Sequence, residues 1–91
     1  DAAEARDGSI IILGQTAYDK NKNVILMRIT ENGNKIWLKK YKSNNLITPR
    51  RIIRLRDNNF LVSLSQADSV QKEQIRLIKF DLRKNVLIDK T

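Results

Sequence analysis

The chain has 91 residues, 41% hydrophobic and 31% charged, with one Pro, three Gly, no Cys and no His. That length allows one domain, residues 1–91, and the chain is too apolar for a disordered tail. Without Cys or His it has no disulfide, no thiolate zinc site, no Cys nucleophile and no Ser/His/Asp arrangement. We expect no enzyme, no cofactor and no metal. The formal net charge is +8.

The first six residues, DAAEAR, favour helix by composition but are too short to hold one alone; the stump of a strand is the other reading. The chain opens on Asp1 and not on Met, so a processed or excised piece is expected. From there the pattern is that of strands. Short runs of β-branched and large aliphatic residues fall at 9–15 (SIIILGQ), 24–30 (VILMRIT), 35–41 (KIWLKKY) and 51–56 (RIIRLR). They continue at 60–65 (FLVSLS), 74–80 (QIRLIKF) and 86–88 (VLI). Asn, Asp, Gly and Lys clusters separate them, and these are turn residues. Seven or eight short strands at regular spacing predict an all-β domain. No apolar run exceeds four residues, as in IIIL at 10–13, far short of the roughly 20 residues of a membrane span.

The chain also matches itself. At an offset of 50, Asp7 falls on Asp57, Ile10 on Phe60 and Ile12 on Val62. A one-residue slip after Ile12 puts Leu13 on Leu64, Val24 on Ile75, Leu26 on Leu77, Arg28 on Lys79 and Trp37 on Ile88. The reading is two units, about 1–42 and about 46–91. Each holds four strands, with a loop of about eight residues between the second and third. Four antiparallel strands in about 40–50 residues is the size of a propeller blade. Asn32-Gly33 between apolar runs is a strong hairpin signal.

Asp7-Gly8-Ser9-Ile10 through Gly14, followed by Asn32-Gly33-Asn34 and Trp37, resembles a bacterial, Bacteroidetes-type β-propeller repeat of pattern DG-x-I-x-x-x-G … NGN-x-x-W. The second unit departs from it: Asn58 stands for Gly8, Lys84 for the turn Gly, and Ile88 for Trp. The resemblance implies a blade architecture and leans toward a secreted or cell-surface location. It implies no functional residues. Two blades cannot close a ring, since closed propellers take about 4–8. The chain is therefore expected to be part of a larger propeller, to self-associate or bind a protein partner, or to fold as a small sandwich or barrel.

The excess charge is concentrated in residues 35–56. Lys35, Lys39, Lys40, Lys42, Arg50, Arg51, Arg54 and Arg56 stand there with no acid, and Trp37 and Tyr41 lie among them. On a strand, Lys35, Trp37 and Lys39 alternate onto one face. Such a strip is a candidate site for nucleic acid or another polyanion, with bases stacking on the aromatics. The bland reading is a charged edge that resists pairing, with Trp37 packed between blades. Other chemistry is thin. Asp7 and Asp57 are read as turn residues bonding nearby amides. Asp19, Asn21 and Asn23 have calcium-loop spacing, but Val24 and Lys35 occupy the positions that need Gly and Glu.

Overall fold

A computed structural model describes residues 1–18, 21–41, 46–67 and 73–91. Its strands are β1 (Ala2–Glu4), β2 (Ile10–Tyr18), β3 (Asn21–Ile29), β4 (Lys35–Tyr41), β5 (Leu46–Arg54), β6 (Phe60–Ala67), β7 (Glu73–Phe80) and β8 (Val86–Lys90). They form two antiparallel four-stranded sheets, β1-β2-β3-β4 and β5-β6-β7-β8, and there is no helix among the described residues. The all-β expectation holds. Neither sheet closes on itself, so a barrel is not formed.

The first six residues supply strand β1, paired to β2 through Ala3↔Ile11, and not a helix. Pairing with a neighbouring strand decides the matter for so short a segment. The expected eight-residue loop is also corrected. β2 continues to Tyr18 and β3 begins at Asn21, paired to each other. The polar residues at 16–23 read as a loop because polarity alone does not end a strand whose ladder persists.

Four turns share one geometry. Gly8, Gly33, Asn58 and Lys84 each donate their N–H to the carbonyl three residues back, at 2.9–3.1 Å. All four have positive φ, at 88°, 90°, 63° and 64°. This is a three-residue hairpin loop closed by a left-handed residue. The hairpin signalled by Asn32-Gly33 is of this kind, with Gly33 as its left-handed residue. Lys84 thus adopts the left-handed conformation that Gly33 takes in the first sheet.

The sheets pack face to face. Ile11, Leu13, Val24 and Leu26 of the first sheet meet Ile52, Phe60, Val62, Ile78 and Phe80 of the second in one buried core. Phe60 and Phe80 stack with centroids 5.7 Å apart, and Trp37 meets Phe80 edge-on at 6.1 Å. Polar contacts also cross between the sheets. Gln15 Nε2 donates to the Ile47 carbonyl at 2.9 Å, and Arg54 Nη1 to the Glu4 carbonyl at 3.1 Å. Pro49 lies on the edge strand β5, beside a bulge, the kind of place where a strand tolerates Pro.

Candidate functional site

The basic residues of 35–56 occupy two different edges. Lys35, Lys39 and Lys40 lie on β4, the outer edge of the first sheet. Arg50, Arg51 and Arg54 lie on β5, an edge strand of the second sheet, which packs across β1, β2 and β3 of the first. Arg56 follows β5 and is exposed. Lys42 lies outside the described residues. A segment continuous in sequence is thus divided between edge strands of two different sheets, because the chain must pass from the last strand of one to the first of the next.

The face on β4 is also different from the expected one. A bulge between Arg28 and Ile29 pairs Lys35 with Ile29 while Trp37 pairs with Arg28. Directly paired residues share a face, so Lys35 is turned away from Trp37. Simple alternation missed this because a bulge inserts one extra residue, Ile36.

Trp37, Lys39 and Tyr41 point toward the second sheet. Trp37 Nε1 donates to the Leu82 carbonyl at 2.8 Å, and its ring packs on the core. Tyr41 lies between two cations, with Lys39 Nζ 5.1 Å and the Arg76 guanidinium 5.7 Å from its ring centre. Arg76 in turn grips Asp89 through two bonds of 2.7 and 2.8 Å. These bonds hold the Asp89 carboxyl below its ordinary range. The two aromatics are therefore used between the sheets.

On β5, Arg54 is engaged with Glu4 and Arg50 with Glu73, the latter at 3.0 Å. Arg50, Arg51, Ser63, Ser65, Glu73 and Ile75 line an open recess of about 510 Å³ on the outer face of the second sheet. Within it Ser65 Oγ donates to the Glu73 carboxylate. Ser65 and then Arg50 hold the Glu73 carboxyl below its ordinary range. A carboxylate so stabilised is a poor base, so Ser65 gains no activation from it. Arg50 and Arg51 are both exposed cations of this recess, and Arg51 makes no ion pair among the described residues.

Asp7 and Asp57 are turn residues. Asp7 Oδ1 accepts the Ser9 N–H at 2.9 Å, and Asp57 Oδ1 accepts the Asn59 N–H at 3.1 Å. Each also pairs with a cation, Arg28 at 2.7 Å and Lys79 at 3.0 Å respectively. Sequence reasoning missed these two pairs. The signal was present, since Arg28 and Lys79 match in the self-alignment as Asp7 and Asp57 do. Arg28 also donates to the Leu82 carbonyl at 3.0 Å, tying a turn of the second sheet to the first.

No group of three or more acidic side chains is placed to hold a metal among the described residues. No helix there is long and apolar enough to cross a membrane. No family model matches the chain, and no curated protein or solved structure matches it.

Proposed function

We propose that the chain is a pair of β-propeller-like blades acting as a non-enzymatic binding or scaffold module within a larger propeller or assembly. One observation carries the reading: the two sheets repeat each other in detail. Strand order and hairpin turns correspond, with Gly8 matched by Asn58 and Gly33 by Lys84. Bulges fall at Arg28/Ile29 and at Lys79/Phe80. Ion pairs Arg28–Asp7 and Lys79–Asp57 take the same place.

The strand registers also refine the repeat. Leu13 pairs with Leu26, and Ser63 pairs with Leu77. Leu13 therefore corresponds to Ser63 and not to Leu64. The offset stays at 50 along all of β2 and becomes 51 only in β3. The slip belongs to the β2–β3 connection, because one residue inserted within a strand would turn every later side chain to the other face.

Polyanion binding is the second reading. It is supported by Lys35, Lys40, Arg51 and Arg56, which are exposed and make no ion pair among the described residues. A titration with single-stranded DNA at two salt concentrations, beside a melt of Trp37→Ala, separates the two. The scaffold reading expects a lowered melt and no salt-sensitive binding. Salt-sensitive binding with an unchanged melt overturns it.

A further inference from the structure

Both outer faces of the sheet pair carry uncovered apolar clusters among charged residues. On the second sheet, Ile53, Ile75, Leu77 and Ile88 are 47%, 63%, 40% and 46% exposed. Register places them with Leu61 on the face away from the core. On the first sheet, Ile10, Ile12, Ile25, Met27, Ile29 and Leu38 share the outer face and are partly exposed. Contiguous apolar faces of this kind mark interaction surfaces.

The pairing registers say what fits them. Ile53, Leu61, Ile75, Leu77 and Ile88 hold the places in the second sheet that Ala3, Ile11, Val24, Leu26 and Trp37 hold in the first. Those five first-sheet residues belong to, or pack against, the core between the sheets. Conversely, Ile10, Ile12, Met27 and Ile29 hold the places of Phe60, Val62, Ile78 and Phe80, all buried in that core. The two uncovered faces are the two halves of the interface that the chain already makes once.

Charge agrees with this. Inside the chain, Arg28 reaches the Leu82 carbonyl across the interface. The residue in the place of Arg28 is Lys79, and the residue in the place of Leu82 is Glu31, an exposed turn residue. A repeat of the same packing brings the Lys79 ammonium to the backbone carbonyl of Glu31, in a turn that carries a side chain of opposite charge. Packing the second sheet's outer face against its own copy would instead gather Arg51, Lys79 and Lys90.

We infer that a second copy of this chain docks head to tail, the outer face of its first sheet covering the outer face of the second sheet. The inference rests on the two-blade reading. A head-to-tail contact either closes into a ring or runs on as a filament. Closed propellers hold about 4–8 blades, which corresponds to about two to four copies.

The test uses two face-specific variants of the 91-residue chain. Ile75→Asp blocks the second sheet's outer face, and Met27→Asp blocks the first's. Should a melt show that Met27→Asp does not fold, Glu31→Lys replaces it, as it changes only an exposed turn side chain. Sedimentation across a concentration series is expected to show the unaltered chain as an oligomer and each variant alone weakened about tenfold or more. An equal mixture is expected to regain association as a heterodimer, since each variant keeps the face that the other lacks. A concentration-independent monomer of the unaltered chain overturns the inference. So does undiminished association of either variant alone, or a mixture that associates no better than its parts. The Trp37→Ala melt reads packing within one chain, so docking can fail while the two-blade reading stands.

Discussion

The indole N–H of Trp37 and the guanidinium of Arg28 donate to the same acceptor, the Leu82 carbonyl, at 2.8 and 3.0 Å. A turn of the second sheet is thereby fastened to two strands of the first, and the Trp37 ring closes over Phe80 beside it. Removing the ring should cost both packing and the bond. Trp37→Ala is expected to lower stability by about 3 kcal/mol, the low end for a large aromatic, because the ring is only partly buried. Trp37→Phe keeps most of the packing and loses the donor, at about 1 kcal/mol. Denaturant melts of the two variants measure the difference.

The turn at Lys84 gives a second prediction. A left-handed backbone costs an ordinary L residue roughly 1–2 kcal/mol, and a β-branched residue is worse. Gly33→Val should therefore destabilise by about 1–2 kcal/mol or more, and Lys84→Val by less, since Lys84 already bears the left-handed cost. Nothing lies within 4 Å of a side chain added at Gly33, so backbone strain alone sets its cost. Lys84→Gly should raise stability by about 0.5–1 kcal/mol, reduced by glycine's greater unfolded freedom. Shifts in urea midpoint at unchanged slope check all three.

Acid should weaken the fold. Ser9, foremost, and the Arg28 guanidinium hold the Asp7 carboxyl below its ordinary value of 3.8. Lys79 does the same for Asp57, and Arg76 for Asp89. Depressed carboxylates contribute stability above their unfolded values and lose it as pH falls through the folded ones. Stability should be flat near neutrality and decline below about pH 4. Asp7→Asn keeps an acceptor for the Ser9 amide but removes the charge, so its decline should be shallower. Melting temperatures between pH 7 and pH 2 test this.

The division of the basic residues makes a fourth prediction. Four phosphate contacts on one strip would give a log–log salt slope of about −3 to −4. With β4 and β5 at different edges, one strand of nucleic acid should not engage Lys40 and Arg51 together. Any residual slope is expected to be no steeper than about −1 to −2. Lys40→Gln and Arg51→Gln should leave stability within about 1 kcal/mol, as exposed charges do. A salt series with single-stranded DNA reads the slope, and a value near −4 would contradict this geometry.

Strand identity and turn position were legible in the residues themselves. Runs such as IIIL and VILM between Asp-Gly and Asn-Gly clusters carry that information locally, and the match of Asp7, Arg28 and Trp37 to Asp57, Lys79 and Ile88 is visible in the chain alone. What the sequence could not settle was decided by partners distant along the chain. The bulge at Arg28/Ile29 turns Lys35 away from Trp37. The left-handed φ of Lys84 follows from a hairpin closed by its two strands, against the residue's own preference. The separation of Lys40 from Arg51 follows from the passage between sheets. Composition and period specify which residues are apolar and where the chain reverses. Face, edge and backbone sign depend on which strand lies alongside, and that is settled only when the ladders and the packed faces form together.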